Sequence, residues 1–185
     1  MEEKINAVKE QKKLIRETFL KQRSEMSGLE RNRQSEKICN QLWHIILEEK
    51  MQVIHSYLPM ESEVNVLPLL QQALDAGLTV VVPKTLKKRQ IQNLVLTDLK
   101  SMEAGIFGTY HPKDAAEYSG NYDLIIVPGL AFDNRGYRVG YGAGYYDTFL
   151  TGQRTAVKIG VHYPFQLMEN IPVEEHDIRL DRVVC

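Results

Sequence analysis

Two cysteines, Cys39 and Cys185, are too few and too far apart for a disulfide framework in a chain of 185 residues. No Cys-x-x-Cys accompanies the five histidines, His44, His55, His111, His162 and His176, and these never form the close pairs of a zinc site, so catalytic zinc is not expected. An excess of one charge is also missing. Twenty-three Lys and Arg face 24 Asp and Glu, a net charge of -1, which lacks the polyelectrolyte balance of a general nucleic-acid binder. Any anion site must therefore be local. No apolar run approaches the roughly 18 residues needed to span a bilayer, and Met1-Glu2-Glu3-Lys4 opens no signal segment, so a cytoplasmic protein without a membrane partner is expected. Internal repeats, low-complexity tracts and flexible linkers are absent as well, which predicts one domain over residues 1–185.

What is present is an ordinary globular composition, 43% hydrophobic and 25% charged. Val8, Ile15 and Phe19 form one helical stripe, and Ile38, Leu42, Ile45 and Ile46 form another. Ser27 separates them, and with Glu30 it fits a capping box at the start of the second helix. From about residue 53 the texture changes to β-rich runs, Val53 to Leu58, Leu78 to Val82, Leu124 to Val127 and Thr155 to Val161, alternating with helical or loop segments. This alternation predicts α/β. Val66 to Ala76 has a helical apolar pattern, with Pro68 in its first turn and Gly77 placed to close it. The tail from Ile171 reads as a loop ending in a short strand.

Asp123 to Gly129 reads as a buried strand ended by Pro128-Gly129, and ligands of open α/β sheets bind beyond such strand ends. The loop that follows carries glycines at 140, 142 and 144. Glycine reaches positive φ cheaply, so this run can turn several amides toward phosphate oxygens, and a helix starting near Gly144 would add its positive end. It is neither a Walker loop nor the dinucleotide fingerprint, because no Gly-Lys-Ser/Thr follows and Tyr145 takes the place of the third glycine. Arg138 adds a permanent charge, and Asp147 can hold a magnesium ion bridging the same phosphates. Cation, amides and carboxylate suit a nucleoside triphosphate; a surface Arg138–Asp147 ion pair is the plainer alternative.

Lys12 falls within the Val8, Ile15, Phe19 stripe and Arg16 sits at its edge one turn on. Either the lysine stem snorkels out along the core or the two cations point at an anion brought by the fold. Trp43, between Leu42 and Ile45, reads as core. Lys84 after Val82-Pro83 reads as a solvated lysine.

From Pro128-Gly129-Leu130-Ala131-Phe132-Asp133 through Gly140-Tyr141-Gly142-Ala143-Gly144-Tyr145-Tyr146-Asp147, the chain closely resembles the signature of the 5-formyltetrahydrofolate cyclo-ligase family, the 5,10-methenyltetrahydrofolate synthetases. The resemblance extends to Lys12-x-x-x-Arg16, to Leu58 through Glu63, to Val82-Pro83, and to His176-Asp177 followed by Asp181. It implies a three-layer α/β/α domain like those of ribose-5-phosphate isomerase and CoA transferases, preceded by the helical pair and acting as a monomer. It also implies magnesium ATP closing 5-formyltetrahydrofolate, with or without a polyglutamate tail, into the 5,10-methenyl form through an iminium phosphate.

By the same resemblance Lys12, Arg16, Arg138, Gly140, Tyr141, Gly142, Ala143, Gly144, Tyr145 and Tyr146 are ATP-binding positions, with Arg138 and Tyr145 catalytic. Leu58, Glu63 and the Tyr141 to Tyr145 segment are folate positions, and Asp147 and Asp177 are metal positions. Glu63 makes chemical sense, since a carboxylate accepts from the amino and ring N–H donors of a pterin, whereas Leu58 also reads as core. His176, beside a metal position, is a candidate acid or supporting group. Tyr141 and Ala143 stand where some members have arginine and lysine, which leaves more phosphate charge to Lys12, Arg16, Arg138 and magnesium. Two rivals are a sugar-phosphate isomerase or CoA transferase, on fold analogy, and an RNA-binding module, since residues 1–37 hold ten Lys and Arg against seven Glu.

Overall fold

A computed structural model describes residues 2–185, with side chains from residue 6 onward. Helices α1 (Glu2–Glu25) and α2 (Gly28–Glu48) open the chain as the expected pair. Ser27 caps α2 by accepting the Glu30 amide at 3.2 Å. Only this half of the capping box forms, because the Glu30 carboxylate turns instead to Arg33 and Gln34 on its own helix.

The remaining elements build a six-stranded sheet of order β11-β9-β6-β1-β2-β3, from β1 (Val53–Ser56), β2 (Thr79–Thr85), β3 (Ile91–Leu96), β6 (Leu124–Val127), β9 (Val157–Val161) and β11 (Arg182–Val184). All neighbours are parallel except β2 and β3. The antiparallel edge strand β3, whose Ile91, Gln92 and Asn93 lack the alternation of a buried run, is the main element the sequence reading misses. Between β1 and β2 runs α3 (Leu67–Asp75), closed as expected: the Gly77 and Leu78 amides bond back to Leu74 and Ala73, with Gly77 at φ +77°.

Alternation along the strands assigns the two faces. Ile54, Val80, Val82, Leu124 and Ile126 pack with Ile38, Leu42 and Ile46 of α2 and Leu69, Leu70 and Ala73 of α3. Each such fully buried aliphatic side chain contributes about 1.5–3 kcal/mol of transfer free energy. Val81, Ile125 and Val127 face the other way, onto Leu150 of α4 (Tyr145–Thr151) and onto Phe132 and Leu180. Helices therefore cover both faces, the second more thinly. Trp43 packs against the core, as its setting predicts.

Two small sheets flank this frame. β4 (Met102–Ala104) pairs with β5 (Tyr110–Pro112), and β7 (Ala131–Asp133) lies between β8 (Arg138–Val139) and β10 (Leu167–Met168). The β7–β8 turn is organised by Asp133, fully buried, whose carboxylate accepts from the amides of Arg135, Tyr137 and Ile171 and from the Arg135 guanidinium. Burial by itself would raise this carboxyl, but those donors hold it below its usual range. At the turn Gly136 has φ +89°, and a Cβ there would lie 2.3 Å from the Leu180 carbonyl, so no other residue fits. The hairpin thereby aims Arg138 back over the sheet. Helix α1 lies across it, burying Phe19 against Leu130, Ala131 and Val139. Among the described residues no helix is long and apolar enough to cross a membrane, and both cysteines are free.

Candidate active site

The connection after β1 leads to β2 on one side, while β6 and β9 extend the sheet on the other. The crevice beyond the carboxyl ends of β1 and β6 is thus the topological switch point at which α/β sheets bind ligands. A cavity of about 400 Å³ opens there, lined by Tyr57 and Leu58 after β1, Pro128 after β6, Lys12 and Arg16 of α1, and the whole loop from Arg138 to Asp147. Every position assigned from the sequence to ATP, folate or metal lines this one cavity, and Glu174 and His176 join them. Lys84 does not line it.

The loop conformation explains its glycines selectively. Gly142 and Gly144 have φ +97° and +75°, whereas Gly140 has no such requirement. At Gly142 a Cβ would meet the Arg16 guanidinium at 3.2 Å, a tight contact that the arginine would relieve by a small shift, so the positive φ is the stronger requirement. Gly144 opens α4, and Thr148 donates back to its carbonyl at 3.1 Å. Arg16 Nε donates to the Gly140 carbonyl at 2.9 Å and so ties the first helix to the loop.

Lys12 does not snorkel. It is 4% exposed, and its ammonium lies 2.5 Å from Asp177 Oδ2 and 2.9 Å from Glu174 Oε2. Glu174, His176 and Asp177 each offer a ligand atom within 4.8 Å of the others, a set in which Asp147 has no part. Asp147 instead accepts from Arg138 Nη2 at 3.1 Å and from the Ile178 amide at 3.2 Å. The Arg138–Asp147 pair exists, but not as a surface pair: the arginine side chain is 3% exposed, and its Nε is buried without a partner.

The far end is different in character. Glu63, 7% exposed, accepts the Tyr141 hydroxyl at 2.9 Å and the Met60 amide at 2.9 Å. Burial pushes its carboxyl up, against the opposing pull of the Met60 amide, the Arg23 charge and the Tyr141 hydroxyl. Tyr57, Leu58, Met60, Ile91, Phe107 and Tyr110 add apolar and aromatic lining to the same cavity. Leu58 is half-buried and also packs on the core, so both of its sequence readings hold in part. Tyr145 donates to the Leu86 carbonyl at 2.7 Å and faces Phe107 edge-on. The Tyr146 hydroxyl is buried without a partner.

Glu174 and Arg23 escape the sequence reading. The run Glu174-Glu175-His176-Asp177 is a visible concentration of ligand types. For Arg23 the signal is helical phase: at 100° per residue it lies about 20° from Lys12, on the same stripe.

Fold and cavity together define an α/β protein that brings a cationic glycine loop, a carboxylate cluster and a buried glutamate to one crevice at a topological switch point. Comparison with known proteins is consistent throughout. The model of the 5-formyltetrahydrofolate cyclo-ligase family matches residues 8–185, and the chain belongs to that family of enzymes. A Caenorhabditis elegans protein described as a probable 5-formyltetrahydrofolate cyclo-ligase is 26% identical, covering 97% of this chain and 95% of its own. The 5-formyltetrahydrofolate cyclo-ligase of Mycolicibacterium smegmatis is 33% identical over 77% of each chain. The solution structure of Aquifex aeolicus 5,10-methenyltetrahydrofolate synthetase superposes with a TM-score of 0.82 at 32% identity, covering 94% of this chain and 88% of that one.

Proposed function

We propose that this chain uses magnesium ATP to cyclise 5-formyltetrahydrofolate to 5,10-methenyltetrahydrofolate, releasing ADP and phosphate, and that it acts as a cytoplasmic monomer. The observation that carries this reading is the meeting, within one cavity, of a phosphate-type end and a heterocycle-type end at the Tyr141 to Tyr145 loop. An enzyme that joins a triphosphate to a folate needs both. The α1 cations favour it over the RNA-binding alternative, since Lys12 and Arg23 are buried and turned inward.

The chain's own groups supply positioning and charge. Lys12, Arg16 and Arg138 neutralise phosphate oxygens, with the loop amides freed by Gly142 and Gly144 completing the cradle. Asp147 and Asp177 would hold magnesium; Asp177 has Glu174 and His176 beside it as further ligand types, while Asp147 lines the same cavity outside that cluster, and hard carboxylate oxygens suit the cation. Bound there, the metal would neutralise and orient the phosphates. Glu63 accepts from the pterin donors. Arg138, whose side chain lines the cavity, stabilises charge on the transferring phosphoryl group, and Tyr145 lines the same space.

A formyl amide oxygen is a poor leaving group. Its attack on the γ-phosphorus breaks the bond to ADP and gives an iminium phosphate; nitrogen 10 then attacks the formyl carbon, loses its proton, and phosphate departs with the oxygen. Positioning both substrates supplies most of the rate, which accounts for the lack of a nucleophilic triad in the cavity.

Purified protein mixed with 5-formyltetrahydrofolate should form the methenyl chromophore only with magnesium ATP. Substrate carrying 18-oxygen in the formyl group should yield singly labelled phosphate in a single turnover. Unlabelled phosphate, or ATP hydrolysis without folate, overturns the chemistry.

A further inference from the structure

Arg23 is an arginine with almost no access to solvent: 3% of it is exposed, and it does not line the cavity. Burying a guanidinium is costly unless its donors are used and its charge is answered. Here Nε donates to Ser62 Oγ at 2.9 Å and Nη2 donates to the Tyr141 hydroxyl, while the guanidinium carbon lies 5.5 Å from the Tyr141 ring centroid. The tyrosine hydroxyl in turn donates to Glu63 Oε1, and the Met60 amide takes Oε2. A chain of bonds thus runs from α1 through the glycine loop to the carboxylate after β1, joining three segments far apart in sequence. Both oxygens of Glu63 are fixed in direction, and each keeps a lone pair for another donor.

We propose that Arg23 is a positioning residue for the folate end of the cavity, holding Glu63 through Tyr141 as an oriented acceptor for the pterin. This assignment rests on the functional reading above and extends it to a residue that touches neither substrate. Tyr141 carries no cation of its own, but its hydroxyl links the Arg23 guanidinium of α1 to Glu63.

The groups facing Glu63 decide what loss of Arg23 does. They are Arg23 from α1, Tyr141 from the loop, Tyr57 after β1, Tyr146 of α4 and Tyr163 after β9. Burial pushes all four phenols up, so they stay neutral through the working range, and the cation opposing Glu63 protonation is Arg23. Without it the carboxyl rises further, and a protonated glutamate no longer accepts from two pterin donors.

Arg23→Met keeps the apolar stem and removes the charge. The KM for 5-formyltetrahydrofolate should rise by about tenfold or more, the KM for ATP should stay within about twofold, and the acid limb of kcat/KM for folate should move up by about one pH unit. Arg23→Lys should restore the limb but leave the folate KM raised, because the fork geometry is lost. Carboxyl carbon-13 titration of Glu63 in the protein without substrate should show the same upward move in Arg23→Met. Should Arg23→Met fail to fold, Tyr141→Phe, which breaks the bond chain but keeps the cation, should raise the folate KM with a smaller shift of the limb.

An active wild-type protein whose Arg23→Met variant keeps its folate KM and acid limb refutes the role of Arg23. So does a parallel rise in both KM values, or an unmoved Glu63 titration. A wild-type protein that cannot cyclise the folate refutes the functional reading itself.

Discussion

The two ends of the cavity are built on opposite principles. At the folate end, Arg23, Tyr141 and the Met60 amide serve Glu63 in one direction, and the arrangement stands complete before any substrate arrives. At the phosphate end, cations and carboxylates neutralise one another: Lys12 lies on Glu174 and Asp177, and Arg138 lies on Asp147. The first end offers a preformed acceptor. On the proposed function the second would exchange partners when phosphates and magnesium bind, phosphate oxygens taking the place of carboxylates on Lys12 and Arg138. A self-neutralised cluster avoids the cost of buried like charges in the ligand-free protein. The expected consequence is that the folate end governs recognition through geometry and the phosphate end through charge balance.

Removing charge at the phosphate end should therefore produce the largest loss. On the proposed function Arg138→Met removes the guanidinium that stabilises the transferring group, and roughly a hundredfold to thousandfold of kcat should go with it, against a smaller change in the KM for ATP. Single-turnover phosphate release measures the split. An equal effect on both parameters would make Arg138 a ground-state ligand and bring the phosphate end closer to the folate end in kind.

A smaller effect is expected at the two cations of α1 that line the cavity. Lys12→Ala and Arg16→Ala each remove a charge-assisted contact and should raise the KM for ATP by about 10- to 100-fold. Partner exchange adds a sharper expectation: Asp177→Asn should raise the magnesium needed for half-maximal rate, whereas Lys12→Ala, which frees Asp177 and Glu174 of their internal cation, should lower it. Magnesium titrations of the two variants that move in the same direction would show that the cluster is structural and not exchanged. Circular dichroism of each variant controls for loss of α1.

The contrast between the ends also explains what could be read from the sequence. The phosphate end was legible because its chemistry is local: glycines at 142 and 144 advertise positive φ, and Arg138 and Asp147 lie in the same short stretch. Lys12 and Arg16 showed as cations on an apolar stripe, but their partners lie more than a hundred residues away and had no local sign. The resemblance assigns Asp147 and Asp177 to the metal, but no spacing signals that Glu174 lies beside Asp177. The Arg23–Tyr141–Glu63 chain depends on three segments meeting, which helical phase hints at for Arg23 but no spacing reveals for the others. In the fold, strands buried on both faces stood out as apolar runs, while the half-exposed β3 and the two-residue β8 did not.

The smallest effect concerns the wall behind both ends. Tyr146 lines the cavity and packs against His55, which is fully buried among Tyr122, Tyr146 and Phe149. His55 Nε2 lies 3.0 Å from Asn93 Oδ1, Nδ1 has no partner, and burial lowers the imidazole to about 3. The folded state thus holds His55 neutral where the unfolded chain, at about 6.5, would bind a proton. Its contribution to stability is complete above about pH 6.5 and is lost as the pH falls toward 3, at up to about 1.4 kcal/mol per unit in that window. His162, also lowered by burial, adds to the same acid limb, whereas Glu63, raised by burial, opposes it. Only a difference between proteins isolates His55. His55→Gln should lower Tm at neutral pH but flatten its decline between pH 6.5 and 4, with about one proton fewer taken up on unfolding near pH 5 in calorimetry across buffers of different ionisation enthalpy. An unchanged slope would mean that His55 is protonated in the folded protein, and the wall behind the cavity would then carry a buried charge of its own.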